Sequence, residues 1–349
     1  MQHTIAPALN QFIIQMPKVE LHLHLEGSIR PATLLAIAQR NGIELPARDE
    51  AGVVQLFQYR NFSDFLTVFT SLARALTRGE DFEQIAYELG NHLADQRVLY
   101  AEVMISPSQY YNRGLDLDEI VQGAAAGFDQ VQAERGIHIN LVFDYGRQFG
   151  LDDAWRLLDV AIHNMPHSVV GWSIGGDEAN FPPELYTQVF EAAQRAGLQT
   201  AAHAGEVVGP RSIWSAVDLL KAKRIGHGIR SIDDPALIEH LIEQGVVLDV
   251  CPSSNLYTGV TDPITSHPLR QLLDAGVGVT LNTDDPVFFH TTLTDEYRLA
   301  ANVFGCDAEE LSNIVLNAAQ AAFLPVNEKR ALVNHIERRI EMLRCELDV

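Results

Sequence analysis

Eight short apolar runs recur along this chain, and each is followed by a longer stretch with helical patterning. The runs are KVELHLHL (18–25), VLYAEVMI (98–105), IHINLVFD (137–144), VVGWSI (169–174), LQTAAH (198–203), KRIGH (223–227), VVLDV (246–250) and VGVTLN (277–282). Strands alternating with helices predict parallel βαβ units, because a parallel neighbour is reached only by crossing over a face of the sheet. Eight such units predict a closed α/β fold, the TIM-type (β/α)8 barrel, as one domain over residues 1–349. The alternative is an open doubly wound sheet, but no GxGxxG follows the first run.

The punctuation agrees with this reading. TLLAIAQRNG (33–42) closes on a glycine suited to a C-cap, and DDPALIEHLIEQG (233–245) opens on Asp-Pro and closes on Gly. Two parts exceed the minimal barrel. Residues 43–95, between the first two strands, carry Phe62, Phe65, Leu66 and Phe69 at helical spacing. That stripe fits core packing or a helical flap over the strand ends. From 307 onward the pattern predicts two more helices packed outside.

Composition removes several function classes. The net charge of −21 repels phosphate backbones, so nucleic acid is not an expected partner. No run approaches 18 uninterrupted apolar residues, so no membrane span is expected. The first 18 residues lack a basic n-region and do not read as a signal peptide. The cysteines, Cys251, Cys306 and Cys345, are odd in number and far apart, which fits a reducing, cytoplasmic setting. Nothing in the sequence bears on oligomeric state.

The first strand poses the chemical question. Residues two apart share a face, so Val19, Leu21, Leu23 and Leu25 suit the helix layer while His22 and His24 point into the barrel. Barrel strands deliver their last residues to one mouth. There the fifth strand adds His203 and Glu206, the sixth His227 and the eighth Asp284 and Asp285. Three imidazoles and a carboxylate suit zinc with an open position for water, and do not suit magnesium or calcium. A spare carboxylic acid and a spare imidazole supply acid and base. Two-metal hydrolases built on such barrels often bridge their ions with a modified lysine on strand four. None of the four lysines lies in VVGWSIGGDE, so one metal is expected. The HxE…PCxxC signature of cytidine-type zinc deaminases is absent.

Taken in order, MPKVELHLHLEGS, YAEVMISP, GGDE, HAGE, RIGHG, CPSSN and LNTDDP resemble the adenosine deaminase family of the amidohydrolase superfamily. The resemblance covers nearly the whole chain. It implies a (β/α)8 barrel, one Zn2+ per chain and hydrolytic removal of the 6-amino group of a small-molecule purine. By motif, the ligands would be His22, His24, His203 and Asp284. Glu206 would protonate ring N1 as water attacks C6, and His227 would orient that water and help move its proton. Asp285 would hold N7, and the Gly176 N–H would meet N3.

Glu26 marks a departure, since adenosine-specific members commonly carry Asp there; HLEG also occurs in relatives acting on adenine or 6-aminodeoxyfutalosine. The adenine branch typically has Asp before the sixth-strand His, where this chain has Gly226. The expectation is therefore adenosine or deoxyadenosine. Glu26 stands at the pocket rim accepting sugar hydroxyls, and Phe62 and Phe65 form an apolar wall. 6-Aminodeoxyfutalosine and free adenine are the alternatives. A related amide or ester hydrolase and a non-catalytic purine binder stand further off.

Overall fold

The computed structural model describes residues 5–349. The leader reading falls partly on residues 1–4, which lie outside the described residues. The eight expected strands are present: β1 Lys18–His24, β2 Val98–Ile105, β3 His138–Gly146, β4 Val169–Gly175, β5 Gln199–Ala204, β6 Arg224–His227, β7 Val247–Val250 and β8 Gly278–Leu281. They pair in parallel in chain order. Between β8 and β1 the ladder is irregular. The Asn282 side-chain oxygen accepts the N–H groups of Leu21 and His22 at 2.9 and 3.1 Å. Beyond it Asp284 pairs with the β1 end, donating to His22 O and accepting from His24 N–H. Barrel closure thus places Asp284 beside the two histidines.

Local rules account for the connecting helices. Pro31–Asn41 starts on proline and ends where Gly42 turns left-handed at φ 65°. Pro235–Gln244 is capped by Asp234, whose carboxylate accepts from Ala236 and Leu237 N–H. The 43–95 segment forms three helices, Glu50–Leu56, Phe62–Ala73 and Gly79–Asp95. The tail supplies Ala308–Ala321 and Val326–Leu347, as the pattern predicted.

The link between those last two helices closes the barrel floor. Phe323 packs with Met104, Val142 and Ala201 in a small apolar cluster. Arg224 lies over its ring at 3.8 Å. The same guanidinium meets Asp249 at 2.9 Å and Glu102 at 2.5 Å, all three side chains being buried. Each charge is paired, which such burial requires. Among the described residues no helix is long and apolar enough to cross a membrane.

Candidate active site

The strand ends converge as the alternation requires. His22 and His24 leave β1 on its inner face, His203 ends β5, and Asp284 sits where the chain returns to β1. One donor atom from each of the four lies within 4.8 Å of the others, and all are buried. Asp284 Oδ1 is 3.4 Å from His22 Nε2 and 3.3 Å from His24 Nε2. Asp284 and His227 both adopt left-handed backbone, at φ 63° and 61°. Such conformations cost roughly 1–3 kcal/mol each and cluster at functional sites.

Their unmet bonding fits a cation. Both ring nitrogens of His22 and Nδ1 of His24 are buried without hydrogen-bond partners. An orphan buried imidazole is costly unless something else binds it. His203 meets Ile174 O through Nδ1 at 3.0 Å, leaving Nε2 free. Ser254 donates to Asp284 Oδ2 at 2.7 Å. Such outer contacts orient metal ligands. The field also favours positive charge: although burial opposes it, Asp285, Asp284 and Asp144 raise His24 to about 10. Although burial raises Asp284, the His22 and His24 imidazoles beside it hold it well below the usual carboxylate range. His203 is pushed well down by burial and by the neighbouring imidazoles.

Glu206 and His227 stand on the same cavity, 3.7 Å apart between Oε2 and Nε2. Burial, then the charges of Asp284, Glu178 and Asp285, push Glu206 well above the normal range, which suits a proton donor. Burial lowers His227 to about 3, a neutral imidazole. Asp285 is raised by burial and by Asp284, and its Oδ1 has no partner.

The cavity holds about 570 Å³ of empty space including its mouth. Phe62, Phe65, Leu66 and Phe69 form one wall, and Gly176, Asp285, His24 and Asp144 also face it. The phenylalanine stripe joins the core as well as lining the cavity, since Phe65 and Phe69 also pack against Phe288. Gly27 is required by Asp285: a Cβ there would lie 1.8 Å from Asp285 Oδ1.

Glu26 is placed differently from expectation. It is buried, not at the rim, because Oε1 accepts from Ser106 N–H at 3.0 Å and Tyr110 O–H at 2.7 Å. Those bonds draw it into the wall beside β2. Its Oε2 is buried without a partner.

Several contributors escaped the sequence reading. Asp144, in β3, lines the cavity with Oδ1 3.4 Å from His203 Nδ1. It is the last residue of the IHINLVFD run, so a check of every strand end would have found it. Glu178 clamps the loop carrying Glu206, accepting from Gly205, Val207 and Val208 N–H and from Ser212 O–H. Gln148 and Ser106 also line the cavity. Their partners are remote in sequence, and no local pattern announces them.

A (β/α)8 barrel with a histidine–carboxylate cluster and an acid at its mouth defines the metal-dependent hydrolase class. Within that class the sequence profile of the Adenosine deaminase family matches residues 17–339, and the chain belongs to this family. Its members are hydrolases acting on C–N bonds of cyclic amidines, and so is this chain. A Hahella chejuensis protein named adenine deaminase is 33% identical over 95% of this chain and 99% of its own length. A Streptomyces coelicolor protein named aminodeoxyfutalosine deaminase is 34% identical over 94% of this chain and 86% of its own. Among solved structures, an adenine deaminase from Arthrobacter aurescens superposes with TM-score 0.89 at 29% identity, covering 93% of this chain and 99% of that one. A zinc-bound amidohydrolase from Burkholderia ambifaria gives 0.91 at 30% identity, covering 99% and 96%.

Proposed function

We propose that the chain hydrolytically removes the 6-amino group of an adenine ring substituted at N9, with aminodeoxyfutalosine as the preferred substrate. The deaminase reading is carried by one observation: His24, His203 and Asp284 of the four-ligand cluster, the Glu206 carboxyl that burial pushes toward its neutral form, and the unpartnered Asp285 oxygen all belong to one cavity. Adenosine, the substrate expected from sequence, gives way, because the similar proteins above are named for adenine and aminodeoxyfutalosine.

Between those two, Gly226 favours the substituted base. A Cβ there would lie 2.7 Å from His22 Cε1, leaving no room for the aspartate typical of the adenine branch. Free adenine remains the second reading, supported by the Hahella relative.

The ion we assign is zinc, held by His22, His24, His203 and Asp284, whose three imidazoles and one carboxylate match its preferences. Bound there, zinc supplies the Lewis acidity that makes water nucleophilic near neutral pH. Glu206 delivers its proton to ring N1 as water adds at C6. Asp285, whose carboxyl burial and the Asp284 charge push toward the neutral form, donates to the N7 lone pair that an N9-substituted adenine leaves free, and the Gly176 N–H meets N3. The Phe62–Phe69 wall excludes water and faces the N9 substituent. Ammonia release from a panel of aminodeoxyfutalosine, adenosine, deoxyadenosine, adenine and AMP tests the assignment. Aminodeoxyfutalosine should lead adenosine and adenine by at least about tenfold in kcat/KM. Adenine in first place would install the second reading.

A further inference from the structure

A line of buried groups runs away from His227, and one of them has a hydrogen-bond direction that cannot reverse. The Leu269 backbone N–H can only donate, and it points at His267 Nδ1 across 3.1 Å. His267 Nδ1 therefore holds a lone pair, and the neutral ring carries its proton on Nε2. That nitrogen lies 3.2 Å from Asn255 Oδ1, which accepts. The amide's other end, Nδ2, then faces His227 Nδ1 at 3.2 Å and donates. His227 Nδ1 must accept, so the proton of its neutral ring sits on Nε2. Turning the Asn255 amide over would set N–H against N–H at His267. Leaving such a buried donor unmet costs about 1–3 kcal/mol. His227, Asn255, His267 and Leu269 are all buried, so water does not compete.

We infer that Asn255 and His267 are positioning residues that lock His227 as the Nε2–H tautomer, making it a donor that orients water and not the base that deprotonates it. The consequence for catalysis rests on the deaminase reading. Water's oxygen forms the bond to C6, and the proton it loses must go to a group other than His227. The carboxylates within reach of Nε2 are Glu206, at 3.7 Å, and Asp284, at 3.8 Å. Asp284 is committed as a ligand. Glu206, once its own proton has gone to ring N1, is the carboxylate left to take water's proton. It then passes that proton to the leaving amine as the C6–N bond breaks and ammonia departs, and it recovers its own proton from the oxygen left on C6 as the carbonyl forms.

The test is nitrogen NMR of zinc-loaded enzyme with 15N-labelled histidine, the His227 signals being assigned by their loss in His227→Gln. Two-bond couplings separate a protonated from an unprotonated ring nitrogen. The expected result is protonated Nε2 and bare Nδ1 at His227, and the same pattern at His267. A proton on His227 Nδ1 with Nε2 bare would overturn the inference. In Asn255→Asp the carboxylate accepts from both rings, so His227 should switch to Nδ1–H. Zinc content should stay at wild-type level while kcat falls at least about 100-fold with KM changed less, since a misplaced catalytic histidine proton is costly. Wild-type kcat alongside a switched tautomer would equally sink the proposed role. If Asn255→Asp does not fold, the wild-type spectrum alone decides. Because that spectrum does not depend on turnover, a chain that deaminates no purine yet shows Nε2–H would remove the deaminase reading and leave the tautomer lock standing.

Discussion

Glu206 illustrates how one residue acquires its chemistry from burial. Its carboxyl is closed off from water among Asp284, Glu178 and Asp285, so the neutral form is favoured. Glu206→Gln should keep the ion, by elemental analysis, while turnover falls by at least about two orders of magnitude. His22→Ala and Asp284→Ala should instead lose both ion and activity. Gly226 is the subtler position. A methyl group there meets the His22 ring edge at 2.7 Å, so Gly226→Ala should weaken zinc binding about 10–100-fold in a chelator competition. Unchanged affinity would mean that the ring yields freely. The HxH spacing was legible at this scale, because a strand's two-residue period alone puts both rings on one face. The position of Glu26 was not, because Ser106 and Tyr110, which hold it, lie on another strand's loop.

At the scale of elements, the Phe62–Ala73 helix contributes a wall, and its residues divide the work. Phe65 and Phe69 are buried against neighbouring rings, whereas Phe62 is only half-buried and faces the cavity. Phe62→Ala should therefore raise KM for N9-substituted substrates several-fold while shifting the urea midpoint little. A comparable KM rise for free adenine would show that Phe62 does not contact the substituent. The stripe at i, i+3, i+4 and i+7 revealed the helix, but only packing showed which rings meet solvent space. The clamp of Glu178 on the loop after β5 is likewise a tertiary feature. The GGDE motif was noticed for its glycine, and its glutamate turned out to hold the loop that presents Glu206.

For the whole molecule, stability depends on closing both ends of the barrel. Phe323 seals the floor and carries the Arg224 guanidinium on its face, so Phe323→Ala should cost about 3–5 kcal/mol in urea unfolding. Acid sensitivity follows from His267, which burial lowers to about 3 against an ordinary value of 6.5. Below pH 6.5 the unfolded chain binds this proton and the native ring does not. Stability is therefore lost as pH falls from 6.5 toward 3, by up to about 1.4 kcal/mol per pH unit. A urea series between pH 7 and 5 should show a shallower pH slope for His267→Gln than for wild type.

Eight strands, their helices and the alternation of His22 with His24 were readable from the chain because they obey short periods, 2.0 and 3.6 residues, that need no knowledge of neighbours. The strand-end rule singled out His203, His227, Glu206 and Asp284 as candidates before any geometry was known. What only the tertiary structure decided is which groups complete those residues' bonding. Asp284 reaches the histidines through the irregular closure of β8 onto β1. Asp144 enters from β3, Glu26 withdraws into the wall, and a backbone N–H at Leu269 sets the direction of a chain ending on His227. Hydrogen-bond satisfaction in a buried site is a property of several segments at once, and such partners carry no sequence period by which to be found.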